Sequence, residues 1–244
     1  MVYSNCIPDC PICKGLGFIR AETEGIHDPN FGKVFECPNR KLTRWDNSIG
    51  IGLDDAKKLN WDLFVQTDAI IDMRRAYDKL FQNGYGWIYI CGNPGNGKTI
   101  MAKASVIHAV MYRDIAAKYT KLSTLINDLR ASYDEERGQS VYAQRLKDIR
   151  AIDYLVIDEL GRDRQTDFSK QSLSDIMDSR YEDAANKKSL TVWVSNFKPE
   201  EILEQYQYDR VRDGRFTVLE ITDSSNRPAI RYKENEGSIW WNEI

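Results

Sequence analysis

Between residues 85 and 221, short apolar runs alternate with longer segments whose apolar residues recur every three or four positions. Trp87-Ile88-Tyr89-Ile90-Cys91, residues 115–120, Tyr154-Leu155-Val156-Ile157, Leu190-Thr191-Val192-Trp193-Val194 and residues 217–221 read as strands. The helical spacing predicts helices over 100–112, 123–133, 172–185 and 199–206. Upstream, residues 53–83 read as helical in two pieces. The second repeats Ala69, Ile70, Met73, Ala76, Tyr77 and Leu80 and ends at Asn83-Gly84-Tyr85-Gly86. Residues 134–150 form a charged stretch to which no element is assigned. Strands alternating with helices predict an α/β fold, a parallel sheet covered by helices on both faces.

The first strand runs directly into Gly92-Asn93-Pro94-Gly95-Asn96-Gly97-Lys98-Thr99. This is a complete Walker A phosphate loop, placed as the motif requires between a strand and a helix. Glycines at 92, 95 and 97 let successive backbone N–H groups curl around phosphate oxygens at a helix N-terminus. Lys98 supplies a point charge to the β- and γ-phosphates, and the Thr99 hydroxyl is placed to ligate Mg²⁺. The spacing therefore predicts a nucleoside triphosphate site.

About 60 residues on, the strand Tyr154-Leu155-Val156-Ile157 ends in Asp158-Glu159. Carboxylates at the C-terminal edge of a parallel strand reach the crevice where open α/β sheets bind ligands. In this Walker B reading Asp158 holds Mg²⁺ and Glu159 orients the attacking water. Asn196, at the tip of the next strand, is placed either to share that water or to cap the helix that starts near Pro199.

With 244 residues, the chain has room for one main domain and a small module. The expected boundaries are a zinc-binding module at 1–40, a linker at 41–60, an ATPase domain at 61–230 and a tail at 231–244. A content of 42% hydrophobic and 29% charged residues is that of an ordinary soluble protein, and no apolar stretch approaches the roughly 20 residues that span a bilayer. No secretory signal is visible at the N-terminus, so a cytoplasmic protein without membrane contact is expected. A net charge of −3 argues against a globally basic nucleic-acid binder but leaves room for a local basic surface. Arginines cluster at 210, 212, 215, 227 and 231.

Four of the five cysteines fall between positions 6 and 37. Cys10-Pro11-Ile12-Cys13-Lys14-Gly15 reads as half of a structural Zn²⁺ site, with Cys37 as the return half. Asn39 and Arg40 stand where a second return thiolate would fall, so Cys6 or His27 must complete the tetrahedron. Cys91, beside the phosphate loop, is expected to be a packing residue.

The ordered set of the phosphate loop, Ile157-Asp158-Glu159-Leu160-Gly161, Arg180-Tyr181, Ser195-Asn196, Asp209-Arg210-Val211 and Ser225-Asn226-Arg227 resembles the AAA+ domain of DnaC/DnaI-type helicase loaders and the related IstB-type transposition ATPases. The resemblance covers about residues 60–230. It implies ATP hydrolysis at sites between subunits, with Arg210 as the arginine finger, Arg227 as sensor 2 and Asn196 as sensor 1; Arg212 and Arg215 compete for the finger role. The implied partners are a replicative DNA helicase gripped by the zinc module, single-stranded DNA, and further copies of the chain in a ring or helical oligomer. The alternative is an IstB-type regulator that binds double-stranded DNA and recruits a transposase. Lys118, Tyr119, Lys121 and Arg130 are candidates for the DNA-facing surface, by aromatic and basic character. Trp240 and Trp241 are expected to anchor the tail or a partner.

Overall fold

A computed structural model describes residues 6, 10, 12–21, 25–29, 31–37, 40, 47–59, 64, 67–133, 138–162 and 166–222. They separate into two compact units, divided between Lys58 and Leu59. Ser225, Asn226, Arg227, Trp240, Trp241 and the expected tail lie outside the described residues.

The first unit holds two short antiparallel strands, β1 (Phe18–Arg20) and β2 (Val34–Glu36), with Ile19 opposite Phe35. Residues 47–58, expected within a linker, group with this unit and carry a 3-10 turn (Asn47–Ile49) and helix α1 (Leu53–Lys58).

In the second unit α2 (Asp68–Asn83) opens at Thr67, whose hydroxyl accepts the Ile70 N–H, and closes at Gly84 in the left-handed conformation. It buries Ala69, Ile70, Met73, Tyr77, Leu80 and Phe81. Strand β3 (Gly86–Gly92) and helix α3 (Lys98–Tyr112) flank the phosphate loop. Then follow β4 (Ala117–Lys121), α4 (Leu122–Tyr133) and α5 (Gly138–Arg150). The chain continues through β5 (Tyr154–Leu160), α6 (Asp167–Ala185), β6 (Leu190–Ser195), α7 (Pro199–Ile202), α8 (Gln205–Val211) and β7 (Thr217–Ile221). The strands form one parallel sheet in the order β4-β5-β6-β3-β7. The α/β expectation is met.

Three helices differ from the pattern reading. α5 lies in the charged stretch left unassigned; Tyr142, Leu146 and Ile149 are its contacts with the core, at spacings of four and three. α6 begins five residues before the expected 172, because Thr166 and Ser169 cap each other's backbone N–H. The helix expected over 199–206 is two. Leu203 adopts an extended conformation that ends α7, and the Gln207 side chain accepts the Glu204 N–H to start α8.

One face of the sheet packs Trp87, Tyr89, Leu155, Ile157 and Trp193 against the helices. Trp87 is stacked on Phe216 at 5.4 Å and meets Trp193 edge-on at 5.3 Å. Arg180 is wholly buried beneath this layer. Its guanidinium donates to the carbonyls of Arg150, Ile152 and Leu190 and to Thr191 Oγ1, tying α6 to the starts of β5 and β6. Burial pulls its pKa down to about 10, and it is still charged at neutral pH. Arg180→Met keeps the bulk and removes the donors, so unfolding in urea is expected to show a loss of about 3 kcal/mol; an unchanged midpoint would contradict this role.

Candidate functional site

The phosphate loop is shaped by what surrounds it. Gly92 pairs with Ile221 of β7, and a Cβ there would lie 2.0 Å from the Ile221 carbonyl oxygen. Gly97, in the left-handed conformation at φ 83°, turns the chain into α3. The Lys98 side chain is buried under the loop and its Nζ donates to the Gly92 and Asn93 carbonyls, both at 2.8 Å. Burial lowers the Lys98 pKa, and the nearby Asp158 carboxylate opposes that shift. Asn96 is buried, while Thr99 is exposed on the first turn of α3. Loop amides, helix terminus and ammonium make a cradle for phosphate oxygens.

β5 delivers the carboxylates through an irregularity. Ile157 is opposite Trp193 and Leu160 is opposite Ser195, so β5 uses three steps where β6 uses two. Glu159 sits in this bulge at φ +61°, a conformation a non-glycine residue seldom adopts. Asp158 is buried; its Oδ1 accepts the Glu159 N–H at 2.7 Å and its Oδ2 the Tyr119 hydroxyl at 2.8 Å. Glu159 Oε1 instead meets two cations, Lys121 Nζ at 2.9 Å and Arg162 Nη1 at 3.0 Å. Ser195 Oγ donates to the Leu160 carbonyl at 2.7 Å and accepts the Phe197 N–H, pinning β6 beside the bulge. Asn196 follows, exposed. It does not cap α7, since the Glu201 carboxylate takes the Lys198 N–H there at 2.7 Å.

The arginines have separate settings. Arg210, partly buried on α8, is ion-paired to Asp178 and lies over the rings of Tyr181 and Tyr206. These contacts are on α6 and α8 and not on the phosphate loop. Arg215 is held by Asp213 and by the Tyr181 hydroxyl, and the guanidinium keeps the Asp213 carboxyl well below the usual range. Arg212 is exposed, with its guanidinium 5.8 Å from the Tyr208 ring.

In the first unit, Cys6, Cys10, Cys13 and Cys37 converge with their sulfurs all within 4.8 Å of one another. Cys37 Sγ is 3.9 Å from Cys6 Sγ and 3.8 Å from Cys10 Sγ. Zinc–thiolate bonds of about 2.3 Å in a tetrahedron place sulfurs about 3.8 Å apart, so the cluster fits Zn²⁺. The Gly17 N–H donates to Cys13 Sγ at 3.1 Å and holds that sulfur in the cluster. His27 is exposed and outside the cluster, so Cys6 is the fourth sulfur. Cys91 is buried with its thiol pushed up to about 11, as suits a packing residue.

The profile of the IstB-like ATP-binding protein family matches residues 80–233, which hold the whole crevice. This chain is a member of the IstB-like ATP-binding protein family. Among relatives, the Escherichia coli K12 replicative helicase loader DnaC is 26% identical over 164 residues, covering 66% of this chain and 64% of DnaC. The match therefore spans less than two thirds of that relative. The crystal structure of the DnaC helicase loader superposes with a TM-score of 0.55 at 21% identity, covering 68% of this chain and 98% of that one. The crystal structure of DnaI gives 0.55 at 16% identity, covering 70% and 95%. These two likenesses show that the α/β domain shares the fold of those two proteins.

For this IstB-like protein the structure brings Lys98, Asp158, Glu159 and Asn196 to one edge of the sheet, and places Arg210 elsewhere. It also adds two residues of β4 to the crevice. Tyr119 and Lys121, expected on a DNA-facing surface, are engaged with the two carboxylates. Their spacing of two along a strand that ends level with Asp158 was the available signal. Metal analysis should find one zinc per chain, retained in His27→Ala and largely lost in Cys6→Ser; full retention in Cys6→Ser would contradict the four-sulfur site.

Proposed function

We propose that the chain binds and hydrolyses ATP between subunits and uses the cycle to load a replicative DNA helicase onto single-stranded DNA. The observation that carries this reading is that the family match over 80–233 coincides with the crevice of Lys98, Asp158 and Glu159, in a chain related to DnaC. Mg²⁺, for which Thr99 and Asp158 are the candidate ligands, would neutralise charge on the phosphates. Lys98 exchanges its two loop carbonyls for phosphate oxygens. Glu159 leaves its ion pairs to orient water, with Asn196 as the second partner of that water. Arg210 of a neighbouring subunit supplies charge to the leaving phosphate, and Arg227 is carried as sensor 2.

The ion pair between Arg210 and Asp178 does not forbid that role. A partly exposed pair contributes about 0–1 kcal/mol. A finger that raises turnover by about 10³ to 10⁵ lowers the barrier by about 4–7 kcal/mol, which exceeds the cost of leaving Asp178.

The helicase is assigned to the cysteine unit, where Leu16, Ile26, Phe31 and Val34 are each more than half exposed. Such apolar side chains on so small a unit suit a protein partner. The single strand is assigned to Arg130 and Lys170, on the rim of a cavity of about 230 Å³ beside Leu160 and Gly161. The IstB-type reading, with double-stranded DNA and a transposase, shares the crevice and the family match, and the relation to DnaC favours the loader over it.

Mixing the protein with a replicative helicase and single-stranded DNA should give a complex only with ATP; absence of a complex under every nucleotide condition would sink the reading. Leu16→Asp with Ile26→Asp should abolish helicase capture and leave ATP hydrolysis intact. Capture that survives this change would move the grip off the cysteine unit.

A further inference from the structure

Tyr119 and Asp158 are both almost wholly buried, and their hydrogen bond joins side chains on neighbouring strands. In the β4–β5 register Tyr119 is opposite Val156 and Lys121 is opposite Asp158. Tyr119 and Lys121 therefore share a face of β4, and the phenol reaches the carboxylate two positions further along. Each oxygen of Asp158 thus has one donor, the Glu159 N–H on Oδ1 and the Tyr119 hydroxyl on Oδ2. The terminal torsion of an aspartate is otherwise broad, and rotation here would break one of these bonds. Both donors are neutral, and each oxygen keeps a lone pair for a further ligand. Glu159 contrasts with it, because the two cations on its Oε1 offset its charge.

We propose that Tyr119 is a positioning residue for divalent-cation binding: its hydroxyl orders the Asp158 carboxylate on folding, so that no ordering is left for the cation to impose. The proposal rests on the reading of Asp158 as a magnesium-holding residue of an ATP site. A buried phenol need not act this way. Tyr154, four residues before Asp158 on β5, spends its hydroxyl on Ser105 Oγ at 2.7 Å and touches no residue of the crevice through it.

That contrast supplies the control. Wild type, Tyr119→Phe and Tyr154→Phe are titrated with a fluorescent non-hydrolysable ATP analogue, in EDTA and across a range of Mg²⁺, with Mn²⁺ binding followed by electron paramagnetic resonance. Tyr119→Phe is expected to match wild type in EDTA and to need about tenfold more Mg²⁺ or Mn²⁺ for half of the metal-dependent gain in affinity. Tyr154→Phe is expected to keep the wild-type metal dependence even if its melting temperature falls as far. p-Aminophenylalanine at position 119, which restores an N–H donor without a large change in shape, is expected to recover most of the lost metal response. A metal dependence in Tyr119→Phe equal to that of wild type, or a shift no larger than that of Tyr154→Phe, would overturn the proposal. A wild-type protein that binds the analogue but does not respond to metal would overturn the reading of Asp158 as well.

Discussion

The nucleotide crevice depends on the place of β6 in the sheet. Because β6 is hydrogen-bonded to β3 on one side and β5 on the other, its tip stands between the phosphate loop and the two carboxylates. The bond from Ser195 Oγ to the Leu160 carbonyl fixes that tip against the far end of the bulge. The bulge turns Glu159 out of the strand's alternation while Asp158 stays buried beside it. A regular β5 would send consecutive side chains to opposite faces, and Asp158 and Glu159 could not both serve one crevice. Gly92 answers to the same sheet from the other side, since its lack of a Cβ lets β7 pair with the end of β3.

The charges around this frame are arranged in pairs that can be exchanged. Lys98 rests on two carbonyls, Glu159 on two cations and Arg210 on Asp178. None of these contacts is a deeply buried ion pair, whose rupture would cost about 3–5 kcal/mol. Arg180 is the opposite case, a fully buried guanidinium held by carbonyls and a hydroxyl at the ends of three elements. The residues read as functional thus sit where partners can change, and the buried arginine sits where they cannot.

Much of this was legible in the sequence because its signals are local. The phosphate loop is eight consecutive residues, and all five strands of the main sheet were marked by short apolar runs. What was missed depends on distance along the chain or on sparse periodicity. Tyr119 and Lys121 meet Asp158 and Glu159 across separations of 39 and 38 residues, and their aromatic and basic character suggested a nucleic-acid surface instead. α5 commits three apolar residues among charges, and the start of α6 rests on a hydroxyl pair with no apolar period. The break at Leu203 has no glycine or proline to announce it. The choice between Cys6 and His27 was a matter of three-dimensional convergence, which spacing alone does not give.

The crevice within one chain holds the loop, the lysine and the carboxylates, whereas Arg210 keeps to α6 and α8. That separation is what a site completed by a neighbouring copy requires. The most direct measurement is complementation: Lys98→Ala and Arg210→Ala proteins, each inactive alone, are mixed and ATP hydrolysis is followed. Interfaces that pair the intact Lys98 of one chain with the intact Arg210 of the other should restore turnover well above the sum of the two. A mixture no more active than that sum would contradict it.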